Sequence, residues 1–191
     1  MRKKIAVFAS GSGTNAENII RYFRDRESAQ VVLVISSRPD AYVVERARKL
    51  QVPCHIAGKE AFATPGLVIS MLHDAGVDMI VLAGFLLKVP EEIVRAYPDA
   101  IVNIHPALLP KFGGKGMYGD RVHNAVIEAG EQISGITIHY VNEHYDEGTA
   151  IARFTCPVLK GDTPQSLAAR VHELEYRYFP EVIEQVATSG K

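Results

Sequence analysis

The sequence predicts an α/β fold: a single-domain, doubly wound, mostly parallel sheet with a late antiparallel addition and helices on both faces. Three observations carry that prediction. Short apolar runs rich in β-branched residues alternate with segments of helical period. The run Met79–Ala83 has no polar position, as a strand covered on both faces requires. Ser134–Val141 instead alternates, and a second strand-like run follows it after a short loop, the pattern of an antiparallel pair.

The elements follow in order. Ile5–Ala9 reads as the first strand, and Asn15–Arg26 as a helix with Ile19, Ile20 and Phe23 inward. Val31–Ser36 is a second strand, Ala41–Leu50 a helix, and Pro53–Ile56 a short third strand. Thr64-Pro65 supplies an N-cap and a first-turn proline for a helix to Ala75, closed by Gly76. Met79–Ala83 is a strand, Pro90–Ala96 a short helix and Ala100–Ile104 a strand. This βα rhythm implies a parallel sheet. Lys111–Gly119 carries four glycines and no helical period, so it is a loop, with a helix at Asp120–Ala129 beyond it. Ser134–Val141 places Ile136, Ile138 and Tyr140 on one face and Thr137, His139 and Val141 on the other. Ala150–Val158 is the last strand, and Pro164–Val186 a long helix with a bend expected before Pro180.

The chain has 191 residues, 47% hydrophobic and 23% charged, which suits one globular domain with a proper core. A formal net charge of -1 gives no overall field for nucleic acid or an anionic membrane. No apolar run reaches membrane-spanning length, and no signal-peptide pattern opens the chain. Cys54 and Cys156 lie far apart without a CxxC pattern and read as packed thiols of a cytoplasmic protein.

Ser10-Gly-Ser-Gly-Thr-Asn-Ala16 sits between the first strand and its helix. Its glycines let the backbone approach a ligand, and the N–H groups of a helix start suit a phosphate. Gly11, Ser12, Gly13, Thr14 and Asn15 are therefore candidate substrate-binding residues. The loop also fits G-x-G-x-x-A. The end of the second strand reads Ser36-Ser37-Arg38, with no acid for ribose hydroxyls, though Arg38 suits the extra phosphate of NADP. A phosphate cradle, a nicotinamide site and a plain tight turn all remain open on this pattern.

Asn103 and His105 share one face at the carboxyl end of a predicted strand, where open α/β sheets bind ligands. Burying either without a partner costs about 1–3 kcal/mol. The pair is either presented to a ligand or satisfied by neighbouring backbone while Pro106 turns the chain. Asp146, in the Asn142–Gly148 loop, is suited to reach an imidazole and raise its basicity. His139, His144 and Asp146 are close in sequence, but the two histidines have opposite strand parity, so no metal site is expected. No G-x-S-x-G elbow offers a covalent nucleophile.

The Gly-Ser-Gly-Thr-Asn loop, Leu82-Ala-Gly-Phe-Leu86, Asn103-Ile-His-Pro-Ala-Leu-Leu-Pro110 and Asp146-Glu-Gly148 occur in the order found in 10-formyltetrahydrofolate-dependent formyltransferases. The chain resembles that family from Ile5 to about Pro180, and within it the branch acting on glycinamide ribonucleotide in purine synthesis. The resemblance implies one formyltransferase domain over residues 1–191, with a phosphate-binding half (1–100) and a folate-binding, catalytic half (101–191). It implies a catalytic trio of Asn103, His105 and Asp146, with His105 cationic beside Asp146. Gly13, Thr14 and Asn15 then match the phosphate-holding segment, with Pro106 on the substrate side and Glu175 at the substrate's ribose. Without the resemblance, Glu175 reads as an ordinary solvated helix residue. Leu86, Leu87, Lys88 and Val89 match the backbone segment that meets the folate's pteridine. Asn142, Glu143, His144, Tyr145 and Asp146 line the same pocket, together with Asn103. The implied co-substrate is 10-formyltetrahydrofolate, with no metal. The implied partners are small molecules, without nucleic acid or membrane, and the protein is a monomer or weak homodimer. The length leaves no room for the additional domains of other branches. Leu87 and Lys88 stand where some relatives have an Arg, and no Arg lies between Arg48 and Arg95 to meet the folate's glutamate tail. Lys111 and Lys115, in a longer loop, either take that place or are simply solvated. Hydrolysis of the formyl group, and an NADP-binding oxidoreductase or nucleotide sensor, are the alternative functions.

Overall fold

The computed structural model describes residues 2–144 and 146–189. They form two compact units, one running to Val102 and resuming at Ile183, the other comprising Asn103–Val182.

The first unit contains β1 (Lys3–Ala9), α1 (Thr14–Phe23), β2 (Ala29–Ser36), α2 (Tyr42–Lys49), β3 (Cys54–Ile56), α3 (Lys59–Ala63), α4 (Leu67–Asp74), β4 (Met79–Leu82) and α5 (Glu91–Ala96). Its strands lie in the order β3-β2-β1-β4, every resolved pair parallel. Ile5, Ala6, Val7 and Phe8 in the middle of β1 are fully buried, and β4 is buried throughout. Burying each large apolar side chain stabilises the fold by about 1.5–3 kcal/mol, which is why these runs tolerate no polar residue. Helices α1 and α2 pack on one another and on β2. Phe8, Phe62 and Phe85 meet edge-on or tilted, with ring centroids 5.2–5.8 Å apart, and so anchor the turn after β4.

One expectation needs correction here. Thr64 does not cap the helix that Gly76 closes. It ends α3, a helix the sequence reading missed, and its hydroxyl donates back to the Glu60 carbonyl (2.9 Å). Gly66, at φ +74°, is the N-cap of α4. A glycine reaches that left-handed conformation without steric cost, so the chain breaks there and restarts.

β5 (Ile101–His105) opens in the first unit and ends in the second, which continues with α6 (Asp120–Glu128), β6 (Ile133–Tyr140), β7 (Ala150–Pro157) and most of α7 (Pro164–Thr188). The strand order is β5-β6-β7, and β6 and β7 are antiparallel, with Ile136 opposite Phe154 and Thr137 opposite Arg153. The mostly parallel sheet with a late antiparallel addition is therefore the observed architecture. Helix α7 runs through Pro180 and buries Leu167, Val171, Phe179 and Val182 along one stripe. No helix among the described residues is long and apolar enough to cross a membrane.

Candidate active site

In the first unit, the loop after β1 is held from its carbonyl side. The Gly11 carbonyl accepts the Val43 N–H (3.2 Å), the Ser12 carbonyl accepts Arg46 Nε (2.8 Å), and the Gly13 carbonyl accepts the Glu17 N–H (2.9 Å). Gly13 sits at φ +73°, and a Cβ there would lie 2.5 Å from Val43 Cβ, so only glycine fits. Gly11 and Ser12 are exposed, while Thr14 and Asn15 are half-buried at the start of α1. The Ser10 hydroxyl accepts the Leu86 N–H (2.9 Å) and the Ser37 hydroxyl proton (2.6 Å), tying the loop to the turn after β4. Along that turn Leu86 and Lys88 are exposed, Leu87 is half-buried and Val89 is buried. Arg38, the residue suited to an NADP phosphate, is bridged instead to Asp40.

In the second unit, β5 ends in Asn103 and His105, and β6 supplies His139. His105 and His139 are 3% and 2% exposed. His139 Nδ1 donates to the Tyr140 carbonyl (2.8 Å), since a carbonyl can only accept. With its proton on Nδ1, the ring accepts the Asn103 amide N–H at Nε2 (3.0 Å). The Thr137 hydroxyl, two residues before His139, donates to the Ala107 carbonyl (2.8 Å) and accepts the Leu109 N–H (3.0 Å). It thereby fixes the turn that carries the half-buried Pro106.

His105 lies between two neighbours. Nε2 donates to the Phe112 carbonyl (2.7 Å), and Nδ1 is 3.6 Å from the Asp146 carboxylate. The other Asp146 oxygen is 3.7 Å from His139 Nε2, and the Gly114 N–H donates to the carboxylate (2.8 Å). Phe112 (φ +57°) and Asp146 (φ +55°) are both left-handed although neither is glycine. Such strain of about 1–3 kcal/mol each persists where surrounding structure imposes it, commonly at functional sites.

Burial dominates the His105 titration and pushes the ring below its usual value, although the Asp146 charge opposes the shift. In this state desolvation outweighs the carboxylate, and so works against the cationic ring that the resemblance implies. Burial raises Asp146, but contact with His139, the Gly114 N–H and the nearness of His105 outweigh it, so its carboxyl lies below the usual range.

Glu175 is 5% exposed and occupies the buried stripe of α7, four residues from Val171 and from Phe179. It faces His172 Nδ1 at 2.9 Å. An acid on the core face of an amphipathic helix is a signal that the sequence carried and that helix periodicity exposes. His139 was legible in the same way, as a polar residue inside a strand's alternation. Of the Asn142–Asp146 loop, Asn142, Glu143 and His144 are exposed, with Asn142 accepting the His144 N–H (2.9 Å). Tyr145 lies outside the described residues. Lys111 is engaged by Glu131 (2.7 Å). No cluster of His, Cys, Asp and Glu suited to a metal occurs among the described residues.

Within the second unit, an amide, two imidazoles and a carboxylate gather at the end of a strand of this α/β fold. The chain belongs to the formyl transferase family, which matches residues 3–183. It is 43% identical over 188 residues to a chloroplastic phosphoribosylglycinamide formyltransferase of Arabidopsis thaliana, covering 95% of this chain and 64% of the plant protein's length. It is 34% identical over 189 residues to phosphoribosylglycinamide formyltransferase of Bacillus subtilis (strain 168), covering 96% of this chain and 94% of that one. The solved glycinamide ribonucleotide transformylase 1 of Symbiobacterium toebii superposes with a TM-score of 0.90 at 35% identity, covering 98% of this chain and 89% of that one.

Proposed function

We propose that this chain transfers the formyl group of 10-formyltetrahydrofolate to the glycyl amine of glycinamide ribonucleotide, a step of purine synthesis. The observation that carries the reading is the pairing of His105 with Asp146 beside an Asn103 amide oriented by His139. The family and its named relatives support the same reaction.

In this reading residues 1–191 act as one domain. The Gly11–Asn15 loop receives the substrate's phosphate, Pro106 borders the substrate, and Glu175 accepts from its ribose hydroxyls. The pteridine lies along Leu86–Val89, and the Asn142–Asp146 loop borders it. The neutral amine attacks the formyl carbon, a new C–N bond forms, and the bond to N10 breaks. Negative charge grows on the formyl oxygen in between. The Asn103 amide N–H and a protonated His105 stabilise it, and one such donor contributes about 3 kcal/mol at comparable acyl-transfer sites. The proton that the amine loses is the one that N10 gains, and the His105–Asp146 pair relays it, directly or through one water. A ring that donates from Nε2 must first shed the Phe112 carbonyl, so the loop at Phe112 opens as substrate arrives. No covalent enzyme intermediate is needed. The reading carries with it a cytoplasmic enzyme of small molecules that uses no metal and is a monomer or weak homodimer.

The test is direct. Purified protein given both substrates forms formylglycinamide ribonucleotide; tight NADP binding without folate binding would replace this reading with the oxidoreductase one.

A further inference from the structure

Helix α2 does more than cover the sheet: it determines which way the phosphate loop faces. A peptide is planar and trans, so the C=O of one residue and the N–H of the next point in opposite directions. The carbonyls of Gly11 and Ser12 are drawn to α2, by the Val43 N–H and by Arg46 Nε. The N–H groups of Ser12 and Gly13 are therefore turned away from α2. The Gly13 carbonyl accepts within the first turn of α1, which turns the Thr14 N–H outward past the helix start. Three successive donors are thereby set by what holds the carbonyls behind them.

Of these holds, only that on Ser12 is a side chain. Arg46 is itself clamped: its Nη1 pairs with Glu17, its guanidinium lies 4.9 Å from the centre of the Tyr42 ring, and its side chain is three-quarters buried. Glu17, in the first turn of α1, also accepts from Arg21 (2.8 Å). Those two arginines hold its carboxyl below the usual range. An unneutralised carboxylate there would oppose an arriving phosphate dianion, so Arg46 meets both a geometric and an electrostatic requirement.

We infer that Arg46 is a positioning residue for the phosphate of the amine substrate: it turns the Ser12 carbonyl toward α2 and thereby aims the Gly13 N–H at the phosphate. The inference rests on the loop's role as a phosphate cradle in the proposed reaction.

The experiment uses the whole protein and inorganic phosphate as the probe, read from the amide NMR shifts of Ser12, Gly13 and Thr14. In the wild type these amides move with phosphate. Arg46→Gln weakens phosphate binding about tenfold, Arg46→Lys recovers part of the loss, and Arg48→Gln, whose residue pairs with Glu45, changes nothing. In turnover, Arg46→Gln raises KM for the amine substrate by a similar factor while kcat and KM for the folate stay within about twofold. The double variant Arg46→Gln/Glu17→Gln remains weak, because removing the acid does not re-aim the peptide. Full recovery in that double variant would reduce Arg46 to a neutralising charge and overturn the inference. Equal phosphate binding by wild type and both Arg46 variants overturns it too, while leaving the reaction reading standing. Absence of any phosphate response in the wild type overturns the cradle itself and this inference with it.

Discussion

The Nδ1 of His105 and the carboxylate of Asp146 stand 3.6 Å apart, beyond hydrogen-bond range yet close enough to feel one another's charge. Because Nε2 is committed to the Phe112 carbonyl, Nδ1 is the nitrogen on which a neutral ring accepts a proton. A proton arriving there is received facing Asp146. In the proposed reaction, that arrangement lets the pair hold a proton in transit.

That arrangement predicts a pH profile. Burial holds His105 below its usual imidazole value, and the Asp146 charge limits the fall. The acidic limb of kcat/KM therefore lies below about pH 6.5. Asp146→Asn removes the charge that opposes the fall, so the limb moves further toward acid and the neutral-pH rate drops about 10²-fold or more. A limb that stays put would separate Asp146 from the titration of His105.

In the proposed reaction, Asn103→Ala and His105→Ala each remove one group facing the developing oxyanion. Each lowers kcat by about 10²–10³-fold with a smaller change in KM, as expected for a contact made mainly in the transition state. Steady-state kinetics with both substrates varied gives the split.

His139 acts on the reaction through Asn103. His139→Ala lowers kcat by less than Asn103→Ala does, and adds little in the Asn103→Ala background. A double-mutant cycle measures that coupling, and independent effects would disconnect the two.

Two histidines of the second unit pull stability in opposite directions with pH. The hydrogen bond to Glu175 raises His172 above its usual value, although burial opposes it. Its contribution is fully present below about pH 6.5 and fades as pH rises through the raised value. Burial holds His123 below its usual value, aided by nearby His172 and opposed by Glu175 and Asp120. That contribution is present above about pH 6.5 and is lost as pH falls through the lowered value. Melting temperatures against pH show this directly: His172→Gln loses stability mainly on the acid side, and His123→Asn removes part of the acid sensitivity.

Gly13→Ala forces a side chain into a left-handed position already filled by Val43. It destabilises the protein by more than the ~1 kcal/mol of an ordinary Gly/Ala exchange, and impairs the amine substrate more than the folate. Thermal melts and KM values for each substrate test both halves.

Much of this was legible in the chain. Periodicity located the strands because the middle of β1 and the whole of β4 are buried on both faces and hold only apolar residues. Asn103 and His105 stood out as polar residues at a strand end. What escaped was nonlocal. Thr64-Pro65 looked like a helix start because only the fold shows that Gly66 supplies the break. Sequence names the carboxylate neighbour of His105 and says nothing of its burial, which opposes the charge. Glu175 needs α7 to be viewed as a stripe, in which an acid between Val171 and Phe179 faces inward. Phe112 contributes a carbonyl, and no residue identity encodes where a backbone oxygen points.

The most direct test follows one labelled carbon. With the formyl carbon of 10-formyltetrahydrofolate labelled and the enzyme in excess, a single turnover with glycinamide ribonucleotide places the label in the ribonucleotide, and omitting the amine leaves it on the folate. Label released as formate at a comparable rate without the amine would mean that water is the acceptor, and direct transfer would be contradicted.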